Sequence, residues 1–253
     1  YMLNLGIRGS QTDVSSAGSV YDLSLIELQP DGQPLENGWR ETVEKSFDGD
    51  YSNILPSMNF KLSISDELIY RFSAAKVISR PSLSYLRPWL APNFSTYREG
   101  LPQLSMGDSS LTPEEANQAD MTLEWYFGDS SSLSAGVFIK DLESFIDYVE
   151  MPVEREGGRY FASFPSKSAY GATIKGAEFA YQQSFDELLA EPFNGLGFQL
   201  NYTYVDSNYD DPELKEAGLP FKGMSKNSYN AVLYYEQYGF QARLAYNWRS
   251  KFL

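Results

Sequence analysis

The 253-residue sequence predicts an all-β chain, an antiparallel up-and-down transmembrane β-barrel segment of about nine strands with long extracellular loops and short periplasmic turns. Three observations predict it. Apolar and polar residues alternate in repeated runs of about ten residues, the side-chain period of a strand and the length that crosses a bilayer at a tilt. The connections between runs alternate long and short, so an up-and-down sheet carries every long loop at one end. Aromatic side chains cluster near the ends of the runs on the apolar parity, as at Trp125, Phe127, Tyr235, Phe240 and Trp248, where a barrel has its interfacial girdles.

Met2 to Thr12 reads as the first strand, with Leu3, Leu5 and Ile7 against Asn4 and Arg8. Residues 13–50 lose the alternation and read as a connection far longer than compact domains use. Leu55 to Ile64 sets Met58, Phe60 and Leu62 against Asn59, Lys61 and Ser63. A tight turn at 65–67 leads into Leu68 to Ser79. Residues 80–117 form a second irregular connection, within which Thr112 to Gln118 reads as a capped helical turn. Asp120 to Phe127 and Leu133 to Lys140 pair through a turn at 128–132. Residues 141–169 make a third long loop, with a hairpin of its own around Glu156, Gly157 and Gly158. Ala172 to Phe185 and Gly195 to Val205 follow, and 206–225 is the fourth long loop. Tyr229 to Arg249 is a hairpin turned at Gln237 to Gly239. Its second run sets Phe240, Ala242, Leu244, Tyr246 and Trp248 against Gln241, Arg243, Asn247 and Arg249.

Composition narrows the function. A net charge of -14 argues against a nucleic-acid partner, which requires a basic footprint. The sequence has no Cys and no His, which removes thiolate metal sites, the Ser-His-Asp triad and the commonest zinc ligand. An enzyme, a cofactor and a resident metal are therefore not expected. No apolar run reaches the ~18 residues of a helical span, which leaves a barrel span open. A soluble secreted β-sandwich that binds carbohydrate shares the alternation, but it does not require the loop asymmetry.

Arg71-Phe72-Ser73-Ala74-Ala75-Lys76-Val77-Ile78-Ser79-Arg80-Pro81 resembles the mid-barrel region of TonB-dependent outer-membrane receptors. Further stretches agree in the family's order, among them Leu111-Thr112-Pro113-Glu114-Glu115-Ala116-Asn117, Leu123-Glu124-Trp125-Tyr126-Phe127, Lys175-Gly176-Ala177-Glu178 and Asn201-Tyr202-Thr203-Tyr204-Val205-Asp206. The pattern is most similar to the proteobacterial branch linked to oligosaccharide uptake, although Gly107-Asp108-Ser109 stands where that branch commonly has Gly-Asn-Pro. The resemblance implies location in the outer membrane of a Gram-negative bacterium, in contact with its lipid. It implies energy from the TonB complex through a plug domain, and an extracellular oligosaccharide or, alternatively, a siderophore or other metal chelate as ligand. Plug, TonB box and closing strand are not recognised in the sequence, so residues 1–253 are expected to be a partial barrel domain.

Two sets of site residues follow. On the polar parity Arg71, Glu124, Glu178, Glu236, Arg243 and Arg249 are expected to face the lumen and the plug, or else to form a solvated face. In the long loops Trp39, Tyr85, Trp89, Tyr97, Tyr160, Phe161 and Tyr209 are candidate ligand-stacking aromatics, since a rigid aromatic face stacks on sugar C–H groups. They can equally pack among themselves. The acidic run Asp206, Asp210, Asp211 and Glu213 lacks calcium-loop spacing and reads as solvated charge. Glu114 and Glu115 suit a helix dipole better than glycosidase chemistry.

Overall fold

The computed structural model describes residues 1–23, 42–128, 130–155 and 158–252. In chain order the strands are β1 (Met2–Tyr21), β2 (Thr42–Ser63), β3 (Leu68–Ser79), β4 (Leu90–Arg98), β5 (Leu101–Met106), β6 (Glu114–Phe127) and β7 (Ser131–Leu142). They continue with β8 (Ile146–Arg155), β9 (Gly158–Lys167), β10 (Ala172–Ser184), β11 (Leu196–Tyr209), β12 (Asn227–Gln237) and β13 (Phe240–Arg249), with a short helix α1 (Pro212–Glu216) before β12. Nine of them form one up-and-down sheet in the order β1-β2-β3-β6-β7-β10-β11-β12-β13. The other four form a separate sheet, β4-β5-β9-β8, built inside two of the long connections.

Directly opposed residues of an antiparallel ladder share a face, so the register decides what each face carries. One row across the sheet reads Leu62, Tyr70, Leu123, Ala135, Phe179, Tyr202, Tyr229, Trp248. The row beside it, on the other face, reads Lys61, Arg71, Thr122, Gly136, Glu178, Thr203, Ser228, Arg249. A slip of one residue in any strand would swap its two faces. Every pairing keeps the apolar parity on one side.

That apolar side has no protein against it. The buried hydrophobic cluster, Leu23, Phe94, Leu104, Tyr160 and Ala162, lies in and beside the small sheet, while Leu5, Leu123, Ile139, Leu233 and Leu244 remain exposed. Contiguous apolar faces of this extent do not face water on soluble monomers. A soluble sandwich would stack a second sheet on this side, and among the described residues none is there. The polar side turns toward the small sheet. The even residues at the top of β1 meet its surroundings through Arg80 to Thr12 (3.3 Å) and Ser16 to Ser109 (3.3 Å). The polar face is thus the lumenal one.

The short connections follow the expected chemistry. Gln237 opposes Phe240, so Tyr238 and Gly239 form a two-residue turn with φ of 54° and 74°, both left-handed as a type I′ hairpin requires.

Several expectations need correction. Residues 13–21 and 42–50 are strand rather than loop. β1 and β2 pair without a break from Met2↔Lys61 to Tyr21↔Thr42, and at ~3.4 Å per residue a 20-residue strand reaches roughly 65 Å, about twice the hydrocarbon thickness. Thr112 to Gln118 is not helical. β6 begins at Glu114, and its first residues pair with Lys76 to Ser79, so the ladder overrides a weak local preference for helix. Residues 80–117 contain β4 and β5. The hairpin expected near 156–158 is present, with Arg155 opposite Gly158.

Candidate functional site

The long connections at one end of the sheet build a crown with its own core. β4 and β5 form a hairpin, β8 and β9 form another, and a parallel pairing of Gln103 to Ser105 with Phe161 to Ser163 joins them. A sheet this small is stable only if it buries an apolar face. Leu104, Tyr160 and Ala162 supply it, each at or below 1% exposure, with the Phe94 ring 6.4 Å from that of Tyr160.

The crown sorts the candidate aromatics. Trp39 lies outside the described residues. Tyr85 packs edge-on against Tyr148 at 5.4 Å. Trp89 is 40% exposed, with the Arg87 guanidinium 5.9 Å from its ring centre, and Tyr97 is 36% exposed. Tyr160, Phe161 and Tyr209 are buried and present no free face to a ligand. Tyr160 fills the core, and Arg98 lies over Phe161 at 4.5 Å. Tyr209 forms a three-ring cluster with Phe145 and Phe221, centroids 5.2–5.6 Å apart, and its hydroxyl accepts from the Lys222 amide at 3.1 Å. Loop aromatics are therefore divided between a structural set and an exposed set, a division that sequence does not show.

Beside Trp89 a groove of about 380 Å³ opens between the tops of β1 and β2 and the crown, and Lys45, Met106, Glu154 and Arg155 also line it. Gly107 fixes its wall. Its amide donates to the Trp89 carbonyl at 2.8 Å, and a side chain there would place Cβ 2.1 Å from the Arg87 carbonyl oxygen. Gly107→Val is expected to displace residues 85–89 and to weaken ligand binding about tenfold or more, from an overpacking cost of ~1–3 kcal/mol. Barrel folding, read by heat-modifiable gel mobility, should be unchanged. Parallel loss of both would mean that Gly107 supports the barrel rather than the groove.

Charged groups pin the crown to the barrel. Glu143 accepts from Lys76 (3.2 Å) and Asn117 (3.0 Å), and the Lys76 ammonium holds its carboxyl below the usual range. Lys222 bonds Asp147 at 3.0 Å, which raises the pKa of its ammonium. Of the acidic run, Asp211 accepts from the amides of Glu213 and Leu214 as the N-cap of α1, and Asp206 lies 3.7 Å from Lys175. Among the described residues no group of three or more His, Cys, Asp or Glu is placed to hold a metal.

The register puts Arg71, Glu124, Glu178, Glu236, Arg243 and Arg249 all on the polar face, opposite the apolar one. Arg71 and Glu124 meet diagonally, Nε to the two carboxylate oxygens at 3.0 and 3.1 Å. The Tyr126 hydroxyl donates to the same carboxylate at 3.1 Å. Glu236 accepts from Gln241, and the Arg249 guanidinium lies 4.1 Å from the Phe252 ring centre. Arg71 is 45% exposed at its side chain, so a double-mutant cycle on Arg71→Ala and Glu124→Ala should return a coupling of only ~0.2–1 kcal/mol. A coupling of several kcal/mol would show a dry environment that the open face does not have.

The family described as TonB dependent receptor-like, beta-barrel, matches residues 1–252. A mutant of the ferric enterobactin receptor PfeA from Pseudomonas aeruginosa, in complex with enterobactin, superposes with a TM-score of 0.62 at 16% identity, covering 98% of this chain and 38% of that one. The siderophore receptor PirA from Acinetobacter baumannii gives 0.55 at 15% identity, covering 97% and 39%. The copper transporter OprC gives 0.54 at 14% identity, covering 97% and 32%. The chain thus spans less than two fifths of each, and at these identities the likeness is one of fold. A comparison with curated proteins finds no match. The one-sided apolar sheet and the matched family place the protein in the outer membrane of a Gram-negative bacterium, and the chain belongs to the TonB-dependent receptor family, as part of its β-barrel.

Proposed function

We propose that the chain is a section of the wall and extracellular crown of an uptake receptor that captures a scarce oligosaccharide outside the cell. The carrying observation is the Trp89 groove, the place where an exposed indole, hydrogen-bonding side chains and the inner face of the β1–β2 hairpin meet. Its chemistry is binding and gating rather than bond making. In this reading the lumenal charges Arg71, Glu124, Glu178, Glu236, Arg243 and Arg249 face a plug domain outside residues 1–253, and the TonB complex acts through that plug. The remaining barrel wall also lies outside this chain. β1 and β13 each have one unpaired edge among the described strands, and an open edge cannot stand in lipid.

A ferric-chelate receptor is the second reading, favoured by the enterobactin and siderophore receptors among the structural relatives. Cells lacking their own copy and expressing the full-length receptor separate the two. Uptake of radiolabelled short oligosaccharides that stops in a strain without functional TonB is the expected result. Uptake of ferric enterobactin alone selects the second reading, and uptake that persists without TonB overturns both.

A further inference from the structure

The groove beside Trp89 has a charge character opposite to that of the chain. We propose that it takes an acidic oligosaccharide, one whose sugar units carry carboxylates, and this rests on the oligosaccharide reading above. The sequence has 34 acidic residues against 20 basic ones, so a lining that carries more cations than carboxylates runs against the balance of the chain. Lys45 and Arg155 both line the groove and have no ion pair among the described residues, and Arg87, outside the lining, has its guanidinium 5.9 Å from the Trp89 ring centre. The lining thus carries two cations and a single carboxylate, Glu154, together with one exposed indole.

Each element matches one part of a uronate unit. The indole takes the apolar C–H face of the ring. Arg155 and Lys45 take carboxylates through charge-assisted hydrogen bonds, with the planar guanidinium suited to a bidentate contact. Glu154 accepts from ring hydroxyls, and it opposes a ligand of dense negative charge such as a ferric polycatecholate. A groove of about 380 Å³ lies near the lower end of ligand-site volumes, ~300–1,000 Å³, so it holds a portion of a sugar chain while the rest extends over the crown. Spaced anionic groups between hydroxyls fit spaced cations around an aromatic plate. A neutral sugar would leave Lys45 and Arg155 unanswered.

The test is calorimetric titration of the full-length receptor in detergent. The probes are oligogalacturonate, oligomannuronate and glucuronate-containing oligomers, neutral oligomers of glucose and galactose of the same lengths, and ferric enterobactin. At least one uronate series is expected to bind, more weakly as ionic strength rises. Lys45→Gln with Arg155→Gln should lower that affinity about tenfold or more and flatten its salt dependence, and Trp89→Ala should reduce it further. Both cations are on the surface, and heat-modifiable mobility confirms folding of each variant. Binding of neutral oligomers alone overturns the acidic-ligand proposal and leaves the oligosaccharide reading standing. Binding of ferric enterobactin alone overturns both. Failure of every uronate series to bind, or uronate binding indifferent to the double substitution, also overturns the proposal.

Discussion

Val137→Arg in the full-length receptor is expected to destabilise the inserted barrel by about 2–4 kcal/mol, the cost of a cation at mid-bilayer on the lipid face of a barrel. Val137 stands at the middle of β7, opposite Met121 on β6 and Ala177 on β10, and is 48% exposed with no protein partner to shelter a charge. The matched control is Ser134→Arg. Ser134 has the other parity on the same strand and opposes Glu124, so the same side chain would enter a polar lumen beside a carboxylate and change stability by less than ~1 kcal/mol. Denaturant titration of both variants in phospholipid vesicles makes the comparison. Equal losses would contradict the facing of the sheet, whatever their size.

That facing was legible in the sequence wherever a strand crosses lipid, because lipid on one side and a wet lumen on the other impose a period of two. It was illegible above the membrane. In the upper halves of β1 and β2 both faces can meet water or polar neighbours, so Ser15, Ser16, Gly18 and Ser19 carry no hydrophobic period, and a paired hairpin looks like a loop. The crown was hidden for a different reason. Its two hairpins are joined by a parallel contact between residues 103–105 and 161–163, and no local pattern announces pairing across that separation. Glu114 to Gln118 misled through its local helical signals, which the β3 and β7 ladders outweigh. Of the site, Trp89 was read from its residue type alone. Lys45 and Arg155 were missed because nothing in the chain links residues so far apart.

Tyr160→Ala is expected to cost the crown about 3–5 kcal/mol, the usual penalty for emptying a large aromatic site in a core, while the barrel remains folded. Tyr160 is 1% exposed, packs on Phe94, and covers Gly158, where an added Cβ would come within 2.7 Å of its ring. The crown core is small, so one ring is a large share of it. The barrel, by contrast, is held by long ladders and by lipid, neither of which touches Tyr160. Hydrogen exchange should therefore accelerate in β4, β5, β8 and β9 and stay slow in β6, β7, β10 and β11. Ligand binding should fall together with crown protection, because the groove wall at Leu90 and Met106 belongs to the β4–β5 hairpin. Tyr160→Phe, which keeps the ring, should preserve both within about 0.5–1.5 kcal/mol, the worth of one hydrogen bond. If Tyr160→Ala weakened binding with crown exchange unchanged, Tyr160 would be acting on the ligand itself, and its assignment to the core would fail.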